Sequence, residues 1–358
     1  MLFQLRDLLA SSLIHPLEGM TAGEWLAVLR REGFRVHPLF WPRAAFISAL
    51  SLGNSVAART ALRRFGPRVE AARVDRPVFI LGHYRSGTTH LHEMLALDGR
   101  FASPDRFQAF NPRAFLATEA WLKPLVEPFM IPRRVQEDEV ALMSLTGLSP
   151  YLDWVFPRSR RGYEGTLRLL DPAERAAWLD ALAWFLKALT VRHDRPIVLK
   201  SPPHTARVGA ILGRFPDARF VHIRRDPYAV FASTVGLLRA VRPVFRLQVG
   251  LKEVDVDALL RSYRAMYDAY FADRPLIPPG QLVEVAFEDV EADPVAQLRA
   301  IYEGLDLAPF EPFRPTLEAY LATIAGHRKG QYPVIDEATR RKIAAACAPC
   351  FDAWGYPR

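Results

Sequence analysis

The chain has 358 residues, half of them hydrophobic and 24% charged, which suits one large or two ordinary domains and excludes disordered and fibrous classes. Lysine and arginine number 47 against 39 acidic residues, a net charge of +8 that points to an anionic ligand or surface. No run of basic residues resembles a nucleic-acid tail, so nucleic acid is not expected as a partner.

From the N-terminus, Met1 to Glu18 carries Arg6 and Asp7 and no long apolar stretch, so no secretory leader is expected. The longest uncharged run, Ala44 to Ala58, has 15 residues, too few to span a bilayer. A cytoplasmic protein without a transmembrane segment is the expectation, with peripheral membrane contact left open. Residues 1–75 read as a helical segment: Thr21 and Glu24 form a capping box ahead of Trp25, Leu26 and Leu29 at helical spacing.

At Arg76-Pro77 the pattern changes. Val78-Phe79-Ile80-Leu81, Pro196 to Leu199, Arg219 to Ile223 and Leu282 to Phe287 are short apolar runs that read as buried parallel strands. Asp171-Pro172, Asp226-Pro227 and Asp293-Pro294 each supply a helix N-cap followed by proline at the first helical position. Strands alternating with such helices predict an α/β fold, a central parallel sheet flanked by helices, over 76–358. The segment 1–75 is expected to pack on this core. Phe101 to Pro157, with seven prolines among aromatics, reads as an irregular cap inserted at about 101–160, and Arg239 to Gly250 joins it as a candidate acceptor lid. Cys347 and Cys350, the only cysteines, exclude a disulfide scaffold. Their C-x-x-C has no strand before it and reads as packing beside a last helix, and no metal site is expected.

The strongest motif is Gly82-His-Tyr-Arg85-Ser86-Gly87-Thr88-Thr89-His90, placed after the first strand and opening a helix. Such a turn points backbone N–H groups at one spot beside the positive end of a helix dipole, a site for phosphate. It is not a Walker A loop, because Thr88 stands where that loop needs lysine and the cation sits earlier, at Arg85. Two more cations end strands. Arg225 precedes Asp226-Pro227, where a phosphate would meet a guanidinium and free helix N–H groups. Lys200 closes Val198-Leu199-Lys200-Ser201-Pro202-Pro203-His204 at the sheet edge where ligands of parallel α/β folds collect.

These motifs resemble those of the sulfotransferases that use 3′-phosphoadenosine 5′-phosphosulfate (PAPS). Arg85 to Thr89 is similar to their 5′-phosphosulfate loop, with Tyr84 in place of its proline. Arg225 and Ser233, eight residues apart, match the pair that binds the 3′-phosphate. The resemblance implies a P-loop NTPase-like fold and binding of PAPS as cosubstrate by Arg85, Ser86, Gly87, Thr88, Thr89, Arg225 and Ser233. It further implies His90 beside adenine, Phe287 of Ala286-Phe287-Glu288-Asp289 in the place of an adenine-contacting tyrosine, and Arg328-Lys329-Gly330 closing over the 3′-phosphate.

Family members carry lysine at the position of Lys200, where a fixed cation stabilises charge on the departing phosphate, and Arg85 would share that task. Cytosolic members place a base histidine two residues after the lysine, where this chain has Pro202. His204 and the run Gln136-Glu137-Asp138-Glu139, with Glu137 and Glu139, are the candidates left. The implied reaction moves a sulfuryl group to a hydroxyl or amine of a small-molecule, lipid or carbohydrate acceptor and needs no metal. Rival readings are a P-loop kinase or NTPase, and a non-catalytic nucleotide-binding protein.

Overall fold

Four short apolar runs form one sheet; the first three are buried along almost their whole length, as crossover helices on both faces require, and the last is buried only at Val285 and Ala286. The strands are β1 (Val78–Leu81), β2 (Val198–Lys200), β3 (Arg219–Arg224) and β4 (Leu282–Ala286), all parallel in the order β2-β1-β3-β4. In register, Ile80 lies beside Lys200 and Val221, and Arg224 lies beside Ala286. The chain leaves β1 toward β2 on one side and returns to β3 on the other. Such a reversal opens a crevice at the carboxyl end of the strand, and Gly82 follows β1 there.

The computed structural model describes residues 15–129, 135–250, 253–325 and 335–358. It divides into two units. One is helical and comprises 1–74, 104–194 and 239–253, and the other carries the sheet and comprises 75–103, 195–238 and 254–358. The 239–253 segment thus falls in one unit with most of the insertion, as its reading as part of the lid expected, and the described residues 15–74 join them there.

In the helical unit, α1 (Ala22–Arg31) begins with the expected capping box between Thr21 and Glu24. It docks on α2 (Trp41–Ala71) through polar pins: Trp25 Nε1 donates to Ser48 Oγ at 2.9 Å, the Ala22 N–H to Ser55 Oγ at 2.9 Å, and Asn54 Nδ2 to the Glu18 and Met20 carbonyls. The uncharged run lies inside α2. The proline-rich insertion holds more helix than its composition suggests, with Arg106–Phe110, Phe115–Val126, Asp138–Thr146 and Leu152–Val155. Pro112, Pro150 and Pro157 fall between or beside these pieces and keep them short, since proline cannot donate within a helix.

In the α/β unit, α3 (Thr88–Leu95) follows the β1 loop, α4 (Pro227–Phe245) follows β3 and continues into the helical unit, and α5 (Val256–Asp273) precedes β4. One sheet face packs Val78, Ile80, Val198, Val221 and Ile223 against Leu91, Met94 and Leu95 of α3. On β3 and β4, His222 Nδ1 and the Tyr270 hydroxyl both donate to Glu284 Oε1, at 3.2 and 2.7 Å, and Arg274 reaches Oε2. Burial alone would raise the Glu284 carboxyl, but these partners outweigh it and hold it at about 2. Among the described residues α4 is the one helix long and apolar enough, by length and composition, to cross a membrane. Its Tyr228, Val230, Phe231, Ser233 and Thr234 are buried.

Candidate active site

The loop after β1 is held in a shape that ordinary residues resist. Gly82 has φ +142° and Gly87 φ +101°, and Arg85 has φ 68°, a left-handed conformation costly for a residue with a Cβ. A Cβ on Gly82 would lie 2.6 Å from the Ile223 carbonyl oxygen, and one on Gly87 2.4 Å from the Phe287 ring. Two hydroxyls pin the loop from outside: the Gly82 N–H donates to Thr205 Oγ1 at 2.8 Å and the His83 N–H to the Tyr267 hydroxyl at 3.2 Å. Ser86 is buried and donates both its hydroxyl and its N–H to the His83 carbonyl. It braces the loop with groups that the sequence reading assigned to a ligand. Gly87 caps α3 without a side-chain acceptor, so the N–H groups of the first turn meet no intrahelical partner.

Lys200 at the end of β2 and Arg225 just past β3 converge on this loop and its own Arg85. Arg85 Nε donates to Ser233 Oγ at 2.8 Å, across 148 residues of sequence. Arg225 Nη1 donates to the Arg85 carbonyl at 3.0 Å, across 140 residues, and its guanidinium lies 3.9 Å from the centre of the Phe287 ring. Lys200, buried at the end of β2, donates to Thr89 Oγ1 at 3.2 Å. The two expected phosphate motifs are therefore one hydrogen-bonded cluster. Its charge comes from arginine and lysine, not histidine: burial pushes His83 down to about 4 and lowers His90 as well, against the opposing pull of Glu93 and Glu291.

The remaining candidates are placed as follows. His204 is buried in the 3-10 turn Pro202–Ala206, its ring edge-on to Phe79 at 5.4 Å. Glu137 belongs to the helical unit, where it precedes helix Asp138–Thr146 and accepts from the Tyr151 hydroxyl at 2.5 Å. Asp138 and Glu139 are buried. Arg328, Lys329 and Gly330 lie outside the described residues. Cys347 and Cys350 are free and buried, and burial pushes the Cys347 thiol up to about 12. No group of three or more His, Cys, Asp or Glu side chains suited to a metal occurs among the described residues.

A model of the "Sulfotransferase family" matches residues 77–312, the span that carries the sheet and this cluster. The chain belongs to the sulfotransferase family. It is 34% identical over 355 residues to the omega-hydroxy-beta-dihydromenaquinone-9 sulfotransferase Stf3 of Mycobacterium bovis, covering 95% of this chain and 91% of that one. The protein of the same name from Mycobacterium tuberculosis matches equally. Among solved structures, sulfotransferase STF9 from Mycobacterium avium superposes with a TM-score of 0.70 at 19% identity, over 94% of this chain and 97% of that one. Sulfotransferase STF1 from Mycobacterium tuberculosis H37Rv superposes at 0.58 and 18%, over 90% and 92%. Both show the shared P-loop-like fold. Family membership favours sulfuryl transfer, for which PAPS is the general donor, over the rival kinase reading and over a binding protein without activity.

For this sulfotransferase, sequence reasoning missed Thr205 and Tyr267, the two hydroxyls that pin the loop. Neither stands in a motif. Thr205 is five residues past Lys200 and Tyr267 lies within α5, and only the fold brings them to Gly82 and His83.

Proposed function

We propose that the chain transfers the sulfuryl group of PAPS to a hydroxyl on an apolar acceptor. The observation that carries the donor half is the double link from Arg85 to Ser233 and from Arg225 to Arg85. A donor with a 5′-phosphosulfate and a 3′-phosphate needs two anion sites at a fixed separation, and here both are built on one cluster. Arg85 and the first-turn N–H groups of Gly87, Thr88 and Thr89 would take the 5′-phosphosulfate, and Arg225 with Ser233 the 3′-phosphate. Phe287, already under Arg225, offers a flat surface for adenine, and His90 is the second candidate contact.

In the reaction the acceptor oxygen attacks sulfur, the bond from sulfur to the 5′-phosphate oxygen breaks, and 3′-phosphoadenosine 5′-phosphate departs. Lys200 stabilises the charge that grows on that oxygen, aided by Arg85. The acceptor proton goes to a side chain for which His204, Glu137 and Glu139 are the candidates, and the first two are the ones to separate first. Glu137→Gln and His204→Gln separate them: loss of the base removes the acidic limb of the kcat profile while nucleotide affinity stays. A lysine and arginine cluster with loop amides supplies the charge stabilisation, so this reading calls for no metal.

The acceptor class follows by similarity. The relatives at 34% identity are named for a hydroxyl on a menaquinone-derived lipid, which supports a lipid alcohol here ahead of a carbohydrate or an amine. Transfer of labelled sulfate from PAPS, screened over isoprenoid alcohols, phenols, steroids and sugars, tests both halves. Labelling of an apolar alcohol is expected; labelling of sugars alone would overturn the acceptor assignment, and no transfer to any acceptor would overturn the donor chemistry.

A further inference from the structure

The helix α2 is apolar on two sides. Its inward side is accounted for: Ile47, Ser51, Ala61 and Val69 are buried, and Ser48, Asn54 and Ser55 make the polar pins to α1 and the turn before it. The outward side is not needed for that packing, yet Ala45, Phe46, Ala49, Leu52 and Val56 recur there at three- and four-residue spacing, all exposed. Phe46 is 37% exposed, Leu52 65% and Val56 63%, with Trp41 at 62% at the head of the helix. From Trp41 to Val56 the row runs about 22 Å. Monomeric soluble proteins seldom leave such a contiguous apolar strip uncovered.

Two turns further along the same stripe the chemistry changes. Thr60, Arg63 and Arg64 occupy the positions that continue the row, all exposed, with Arg59 exposed beside them. Overall α2 holds five arginines, Arg43, Arg59, Arg63, Arg64 and Arg68, against the single acid Glu70. An apolar strip that runs lengthwise into a cluster of arginines on the same helix face puts acyl-chain contact and headgroup contact on one surface, and basic residues beside a membrane-contacting apolar segment are drawn to anionic lipid. We propose that the outer face of α2 is a docking surface for an anionic lipid bilayer. Leu52, Val56, Phe46 and Trp41 enter the boundary of the acyl chains, and Arg59, Arg63 and Arg64 meet lipid phosphates. A second copy of the chain fits this face poorly. Stacked in one direction the two strips oppose arginine to arginine, and in the other they bury arginine against the apolar half.

The test is flotation of the full chain with phosphatidylcholine vesicles, with and without phosphatidylglycerol. The wild-type chain is expected to float with the phosphatidylglycerol vesicles, and binding should fall as salt rises. Arg63→Gln with Arg64→Gln should weaken that binding by about 25-fold, about fivefold for each arginine near an anionic surface. Leu52→Glu with Val56→Glu should weaken it by about tenfold or more on both vesicle types. All four positions are exposed, and unchanged binding of 3′-phosphoadenosine 5′-phosphate certifies the fold of each variant. That measurement also separates this proposal from the transferase reading, which stands or falls on the nucleotide. Failure of the wild-type chain to float would overturn the docking surface, as would a Leu52→Glu, Val56→Glu variant that floats like wild type. Light scattering that shows a dimer abolished by those glutamates, with no vesicle binding, would assign the face to a second copy instead.

Discussion

Arg225 meets three demands with one planar group: it donates to the Arg85 carbonyl, lies over the Phe287 ring and presents charge at the end of β3. A lysine could supply only the charge. Arg225→Lys is therefore expected to weaken 3′-phosphoadenosine 5′-phosphate by about 10- to 100-fold, the range of a lost charge-assisted hydrogen bond, while adenosine 5′-phosphosulfate changes much less. Calorimetry with both ligands checks this, and equal losses would show the two phosphates to be misassigned. Lys200 answers a different measurement. Because it sits on Thr89 at the end of β2, Lys200→Ala should cut kcat by about 100-fold or more with a small change in nucleotide affinity. A variant with a normal turnover rate removes Lys200 from the mechanism. Gly87 is constrained twice, by its φ of +101° and by the Phe287 ring at 2.4 Å from a Cβ. Gly87→Ala should abolish nucleotide binding, which calorimetry with 3′-phosphoadenosine 5′-phosphate checks.

Among the elements, the turn that leads into α1 carries a pH dependence of its own. Burial pushes the Glu18 carboxyl up to about 8, against the lowering effect of the His15 N–H and of Arg106. The folded chain keeps that proton while an unfolded chain releases it above the ordinary value of 4.5. Unfolded protein then binds fewer protons, so the contribution of Glu18 to stability falls as pH rises from 4.5 to about 8. Glu18→Gln mimics the protonated form and lacks this slope. The unfolding free energy of wild type relative to Glu18→Gln, measured by denaturant titration, should therefore decline between pH 5 and pH 8, with a limiting slope of about 1.4 kcal/mol per pH unit. A constant difference would place Glu18 in water.

Local pattern was sufficient for much of this. The four strands stand within two residues of where their apolar runs put them, since strands of a parallel sheet covered by helices leave little freedom in composition, least at β1 to β3, which are almost wholly buried. The capping signals held at Thr21, Asp171 and Asp293, where side chains accept from the first helical turn. The loop was legible because phosphate chemistry demands glycine, hydroxyl and cation in a short span. What was not legible depends on distance. Thr205 and Tyr267 reach the loop only through the fold, and the turn of Ser86 into the His83 carbonyl follows from a loop geometry that no spacing encodes. Proline content understated the helix within the insertion, because Pro112 and Pro150 beside helix ends, and Pro124 inside Phe115–Val126, look in composition alone like prolines in irregular chain.

Across the whole molecule, the excess of +8 separates into two tasks. Arg85, Lys200 and Arg225 gather at or just past strand ends, where the proposed function assigns them a small polyanion, and the arginines of α2 line one outer face, where the docking proposal assigns them lipid phosphates. Neither accounts for nucleic acid. The cluster at the loop also has a consequence in time. Its parts come from Gly82, Lys200, Arg225, Ser233 and Phe287, so the floor beneath Arg225 does not exist until the last of these has been synthesised. At about 5 to 20 residues per second the ribosome needs about 10 to 40 s to travel from Gly82 to Phe287. For that interval the strained loop lacks Phe287, and for roughly its first three quarters it lacks Ser233 as well. The donor nucleotide therefore cannot shepherd the emerging chain; it stabilises the finished one, by about 2.7 kcal/mol at a hundredfold excess over its Kd.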